Sequence, residues 1–599
     1  MKALLIGSII SAAQAAEEGL TRAYDQWVTY LPGTAHYCKN RLGVECADLN
    51  TYLAINEQDE TFLRILPLFT EMLLDLDRTN ASVLKSFGSI PELNWYYTFR
   101  VEAYMQYVGL LLFDTALRRY LATNQIHHLT LYNHINALNP TLLNDLRLPI
   151  IQYVTAAHFV TFHIHSPKTM TTPKAIFAAL AKALTQVRSI HISIRYCAKL
   201  ILFLVQAQFS AKPSPILFFD HLYELNYLPL SSLQKLTVPF AEFGTHLPAW
   251  LSFMKARPQH QLPSSSIDFQ RHTALPYAKQ VAGCLTDFFR SHIHEYDAAL
   301  KYTKYLVGLH KIKTAVWGNS PCEISPRGIV IDYLRKLGVC VIGVQHGGNY
   351  GTLEKYDTLQ LLTDYLSCDK FLCYGSFHLD AFYIPDTGYQ PATMIATGSL
   401  KNYALSQITP NTERLNVDVL FPMNFSSDLF TGDMFPRADL VLERQLNIIN
   451  YLETCGASVV IKLIKGALKN RPWNENRFGS FHAIKNLRHC TVNDELTLSE
   501  ALLHYQPKLV ILENLGTPLS DSVFHDVEII LFSDPLRFKT HVRTLVEKRV
   551  HLADTFEDFM KLISCFLKGD LPTLRNSEFY ETQICPPGNV FDRVLEQLR

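Results

Sequence analysis

The 599-residue chain has no excess of either charge: 55 basic residues stand against 55 acidic ones, with no basic tract. That excludes the electrostatic footprint of a nucleic-acid binder, so no nucleic-acid partner is expected. Its 12 cysteines form no CxxC pair and no cluster with histidine. Scattered thiols in a chain this long argue for a reducing, cytoplasmic address and against a structural zinc. No run reaches the roughly eighteen apolar residues of a membrane span. The nearest, YVGLLLF (107–113) and LILFLVQAQF (200–209), read as core helices. Arg195, Lys199 and Lys212 beside the second leave peripheral contact with the inner face of the membrane as the alternative. The opening MKALLIGSIISAAQAAEE has a minimal charged start, and its apolar part is broken by Gly7, Ser8 and Ser11. It reads as a strand, Lys2 to Ile6, a Gly-Ser turn and a helix from about Ile9, rather than as a signal peptide.

What is present is globular: 48% hydrophobic, 18% charged and 12% aromatic. The chain is too long for one core and predicts several domains. Residues 1–212 combine the strands KALLIG, WVTYLP and HLTLYN with a helix-rich stretch over 58–122 and strand character over 149–164. KPSP (212–215) marks a boundary. Beyond it, PILFFD, IKTAVWGNS, VCVIGV, KFLCYGS and TMIATGS are short, non-alternating apolar strands separated by helical segments. Such strands belong in a parallel sheet covered on both faces. A polar stretch from Lys401 reads as a linker. A second series follows: VDVLFPM, ASVVIKLI, HCTVND, KLVILEN and VEIILFSD. The expected fold is therefore α/β, with Rossmann-like domains at 213–402 and 403–599 facing a cleft, preceded by an additional helix-rich α/β region over 1–212. Ligands should sit beyond the carboxyl ends of the strands.

The polar loops lie there. The strand VCVIGV ends in QHGGNYG (345–351). Gly347 and Gly348 let backbone amides approach an anion without Cβ obstruction, and His346 can act as acid or base near neutral pH. Asp220 and Glu224, just after PILFFD, and Glu354, after the glycine loop, are candidates for a base that takes a hydroxyl proton. Lys462 ends the strand ASVVIK. Asn514, Gly516 and Thr517 lead into a helix whose N-terminus is suited to phosphate. No DxD-type pair stands at a strand end, so no metal is expected.

QHGG-x-YG, then TGSLK, then KLVILENLGTPLSD in a second α/β half resembles the GT-B glycosyltransferases of bacterial surface polysaccharides. The kinship is with surface-carbohydrate transferases carrying QHGGxYG, capsule and lipopolysaccharide Kdo transferases, and CDP-glycerol glycerophosphotransferases. The resemblance covers about residues 213 to 570. It implies an inverting, metal-independent transfer from a nucleotide-activated donor, a CMP-linked acidic sugar such as Kdo, to a glycan or glycolipid acceptor. The nucleotide sugar is then a substrate, and no cofactor is implied. It also implies donor contacts from Gln345, Gly347, Gly348, Gly398, Ser399, Lys401, Lys462, Asn514, Gly516 and Thr517, with Asp220, His346 and Glu354 as catalytic candidates. The chain departs from the family after Lys401, where Phe-Asp is missing, and at Asp521-Ser522, where Glu-Ala is usual. Two alternatives follow. One is a UDP-GlcNAc 2-epimerase-like enzyme of the same fold, with Glu354 and Asp357 as its acids. The other is a non-catalytic scaffold in polysaccharide assembly.

Overall fold

In a computed structural model, the residues described are 1–85, 97, 100–132, 146–165, 216–219, 223–228, 235–238, 272–318, 327–354, 356–407, 415–423, 437–468, 484, 487–513, 515–534 and 537–599. Of the sequence-predicted site residues, Asp220 and Asn514 lie outside these.

Seventeen strands form three sheets among the described residues. The first holds β1 (Lys2–Ile6), β2 (Gln26–Thr29), β3 (Cys46–Asp48), β4 (His128–Tyr132) and β5 (Thr161–His165), in the order β3-β2-β1-β4-β5. The second holds β6 (Ile216–Phe219), β7 (Lys235–Val238), β8 (Thr314–Trp317), β9 (Cys340–Val344), β10 (Lys370–Cys373) and β11 (Thr393–Ala396), in the order β11-β10-β9-β8-β6-β7. The third holds β12 (Val419–Pro422), β13 (Val459–Lys462), β14 (Cys490–Asn493), β15 (Leu509–Leu512), β16 (Glu528–Phe532) and β17 (His551–Ala553), in the order β14-β13-β12-β15-β16-β17. Every pairing is parallel. The reversals of order, β1/β4, β6/β8 and β12/β15, are the switch points of doubly wound sheets. The second and third sheets make two Rossmann-like halves around a cleft, a GT-B-like arrangement, and the N-terminal region adds a third sheet of the same kind.

The burial pattern explains why these segments are strands. β15 is LVIL with all four residues buried, and β16 is EIILF with all five buried. Apolar side chains on both faces demand helices above and below. The N-terminal segment follows the strand reading, with the Ser8 side chain accepting from the Ser11 amide as N-cap of the helix Ile9–Glu17. YVGLLLF lies within the buried helix Arg100–Asn124, and LILFLVQAQF lies outside the described residues. No helix among the described residues is long and apolar enough to cross a membrane.

Four local expectations change. Residues 149–157 belong to the helix Arg147–Ala157, and strand begins only at Thr161. The polar stretch from Lys401 opens as the helix Leu400–Ser406 instead of a linker, because Ser399 caps it by accepting from the Asn402 amide. β3 and β7, which the sequence reading passed over, and β17, beyond the last strand it read, join the sheets. The last helix, Val590–Leu598, leaves the third sheet and covers the second. Its Val590, Val594 and Leu598 share a core with Ile216, Phe218, Val316 and Ile342. Arg593 fixes this crossing by donating to the carbonyls of Thr397, Pro586 and Pro587.

The N-terminal region is welded to the rest. The buried Arg100 donates from Nε to the Leu362 carbonyl at 2.5 Å and from Nη2 to Ser367 at 2.7 Å. Arg437, just before the helix Ala438–Thr454 of the half built on the third sheet, donates to the carbonyl of Leu53.

Candidate functional site

The loop after β9 and the turn after β15 meet. A Cβ added to Gly348 would lie 2.7 Å from the Gly516 carbonyl oxygen and 2.9 Å from Ser520 Oγ. The second glycine of QHGG is therefore required by the close approach of the opposite half. A Cβ on Gly347 would stand 3.7 Å from Thr517 Oγ1. Next to this contact opens a cleft of about 400 Å³, with His346, Gly347 and Tyr350 on one side and Gly516, Thr517 and Pro518 on the other. The helix Asp357–Thr363 and Asp364 complete the first side. Five expected residues are thus brought together: His346, Gly347, Gly348, Gly516 and Thr517.

His346 is half-buried and belongs to a chain of polar groups. The Tyr350 hydroxyl lies 3.1–3.2 Å from the imidazole nitrogens and donates to Asp364 Oδ2 at 2.8 Å. Tyr350 itself is buried, and burial, reinforced by the Asp364 charge, holds its phenol well above the ordinary range. Thr363 also donates to Asp364, at 2.9 Å.

The other expected contacts are engaged elsewhere. Gln345 is buried and shapes the loop: its Nε2 donates to the Gly347 carbonyl at 2.6 Å, and its Oε1 accepts from the Tyr374 amide at 2.9 Å. Gly398 has φ +95, and a Cβ there would meet Val590 Cγ2 at 2.9 Å, so that glycine serves the packing of the last helix. Ser399 caps its own helix and donates to Glu224. Lys401 pairs with the buried Asp521 at 2.6 Å. Lys462 is buried, and its ammonium reaches the neighbouring Leu463 carbonyl. Burial lowers its pKa to about 8 against the pull of Asp494 and Glu500. Glu354 is exposed and stands off the cleft wall, its amide donating to the Arg537 carbonyl of the half built on the third sheet. Asp357 is fully buried and paired with Lys539 at 2.6 Å.

Glu224 sits at the centre of a buried strap rather than in the cleft. It accepts from the Tyr374 hydroxyl at 2.6 Å and the Lys401 amide at 2.8 Å. Burial pushes its carboxyl pKa up, opposed by these hydrogen bonds and the Lys401 charge. From Lys401 the strap crosses to Asp521, whose carboxyl is likewise pushed up by burial and pulled back by Lys401. Asn402 adds a bond to the Ser520 carbonyl at 2.9 Å.

Sequence reasoning missed Tyr350, Gln360, Thr363 and Asp364 as cleft residues. The available signal was DTLQLLTDY, a short apolar helix that carries Gln360 and Asp364 four residues apart.

No family model matches the sequence, and neither does any curated protein. Among solved structures, the chain is similar to the UDP-GlcNAc 2-epimerase of Methanocaldococcus jannaschii in complex with UDP-GlcNAc and UDP. The identity is 13% and the TM-score 0.37, over 64% of this chain and 98% of that one. It is similar to the S. aureus MnaA–UDP structure at 10% identity and TM-score 0.35, over 63% and 93%. It is also similar to the spinosyn rhamnosyltransferase SpnG complexed with spinosyn aglycone, at 12% identity and TM-score 0.28, over 64% and 96%. At these scores the likeness carries no argument about activity, and the fold rests on the strand orders above.

Proposed function

We propose that the chain is a glycosyltransferase that draws its sugar from a nucleotide-activated donor and passes it, with inversion, to a glycan or glycolipid acceptor. The observation that carries this reading is the seam between Gly348 and Gly516, which brings the QHGG loop and the LGTP turn together as two sides of one cleft. The donor phosphates lie against Gly347, Gly516 and Thr517, where little side chain obstructs the backbone. His346 takes the proton of the acceptor hydroxyl as its oxygen attacks the anomeric carbon. The bond from that carbon to the phosphate oxygen breaks, and the nucleotide leaves with its electron pair.

The test is thermal stabilisation of the purified protein by CMP, CDP, UDP and GDP, since a ligand that binds only the folded state raises its stability by mass action. A shift with one nucleotide, abolished in Thr517→Trp, is the expected result. No shift with any of them overturns the reading and favours a scaffold.

A second reading has its own support. Asp364 and His346 share the cleft, and two acid/base groups in one site suit an epimerase acting on a UDP-sugar. Incubation with one UDP-sugar and no acceptor separates the two: an epimerised nucleotide sugar identifies the epimerase, and an unchanged one the transferase.

A further inference from the structure

Arg444 lies in the second turn of the helix Ala438–Thr454. Its neighbour Gln445 donates to Glu513 Oε2 at 2.9 Å. Glu513 directly follows β15 and stands three residues before Gly516. The guanidinium carbon of Arg444 is 4.7 Å from the ring centroid of Phe532, the last residue of β16. The group therefore sits over the carboxyl ends of β15 and β16, beside the β12/β15 reversal, where an open parallel sheet takes its ligands. Arg444 is half-buried, and its Nε is buried without a hydrogen-bond partner. No described residue accepts a hydrogen bond from it or forms an ion pair with it, and Glu513 and Asp534 act on it only from beyond ion-pair distance. Burial pulls its pKa below the ordinary value against the effect of those two carboxylates. The face of Phe532 stabilises a cation but offers no lone pair to five N–H donors. Two other buried arginines are placed differently. Arg100 donates to the carbonyls of Tyr97 and Leu362, and Arg549 to those of Val523, His525 and Val527. A desolvated guanidinium without acceptors costs free energy unless a ligand supplies them.

We propose that Arg444 binds a phosphate group of the nucleotide donor, its guanidinium fork donating to two phosphate oxygens. The inference rests on the nucleotide-sugar reading above and names a binding residue within it. The planar fork matches phosphate in two-point contact, which a lysine in its place could not reproduce. Glu513 and Asp534 help to keep the group charged against burial while no ligand is bound. The hydrogen bond from Gln445 holds Glu513, and so keeps its carboxylate from closing on the guanidinium. Glu513 also links the two parts of the site, since the chain runs from it into the turn that carries Gly516 and Thr517.

The experiment measures dissociation constants of the full chain, wild type and Arg444→Met, for uridine, UMP and UDP, with cytidine, CMP and CDP as a second series. Methionine keeps an apolar contact with Phe532 and removes the charge. The expected result, for the base that binds, is that Arg444→Met holds the nucleotide at least about tenfold more weakly. The nucleoside, which has no phosphate, changes by less than about twofold on the same scale. Arg444→Lys keeps the charge without the fork and recovers part of the loss. Melting without ligand gives a second readout. Arg444→Met melts no lower than the wild type, because it removes a desolvated charge that has no partner. If Arg444→Met melts lower or does not fold, Arg444→Lys decides, with nucleotide binding weaker by at least about threefold expected. Nucleotide affinity unchanged in the deciding variant overturns the inference, and so does an equal loss for nucleoside and nucleotide. Both results leave the nucleotide-sugar reading intact, because the wild type still binds. Absence of binding by the wild type to every member of the two series overturns both.

Discussion

At the scale of the residue, the proposed chemistry turns on His346 and the two groups behind it. Replacing His346 by alanine removes the base, and turnover should fall by about 10²–10⁴-fold. Tyr350→Phe keeps the ring packed on Phe371 but deletes the hydroxyl between His346 and Asp364. It should lower turnover by less than the His346 variant, with the donor KM nearly unchanged. Initial rates with donor and acceptor check both, and a Tyr350→Phe enzyme at full speed would remove the linkage from the mechanism. Gly348 carries a structural prediction. Alanine there places a methyl group 2.7 Å from the Gly516 oxygen, so the two halves must part or strain. A loss of about 1–3 kcal/mol, the usual cost of overpacking, is expected in chemical denaturation.

At the scale of the element, the short helices Leu400–Ser406 and Thr517–Ser522 are joined by the Lys401–Asp521 pair. Lys401→Met leaves Asp521 buried without its counter-charge and should cost about 3–5 kcal/mol. The double change Lys401→Met with Asp521→Leu should recover most of that loss, because removing both charges restores neutrality. Denaturation of the three variants measures it, and a double variant no better than Lys401→Met would contradict the account. The turn after the second of these helices gives a pH signature. Burial, with a contribution from Arg549, depresses the His525 pKa to about 4 from its ordinary 6.5. The unfolded chain therefore binds a proton between pH 6.5 and 4 that the folded protein refuses. Stability is complete above pH 6.5 and falls as pH drops through that window, by about 3 kcal/mol for the whole shift. His525→Gln should flatten this part of the stability-versus-pH curve.

At the scale of the whole molecule, one hydrophobic core runs through all three sheets, from Leu5 and Leu129 through Phe219 and Phe371 to Leu420 and Leu531. The last helix returns from the third sheet to cover the second. Cores shared in this way couple the regions. The intact chain should melt in one calorimetric transition, not three, since no region can lose its packing without exposing its neighbour's. Three separated transitions would show that the shared core does not couple them.

The sequence by itself determined most of the strands and the class of fold. Short runs such as LVIL and EIILF can bury both faces only in a covered parallel sheet, and that requirement is local enough to read from composition and spacing. It also pointed to QHGG and LGTP, because glycines crowded at a strand end have few other uses. Tertiary structure alone decided which charges were available. Lys401 looked like a donor contact until Asp521, 120 residues away, took it. Glu224 looked like a base until Ser399, Tyr374 and the Lys401 amide enclosed it. Tyr350, Gln360 and Asp364 became cleft residues only when the loop after β9 folded over the helix behind it. The physical reason is range. Backbone preference and burial act between neighbours in sequence, whereas the partner of a charge is fixed by which distant strands come to lie side by side.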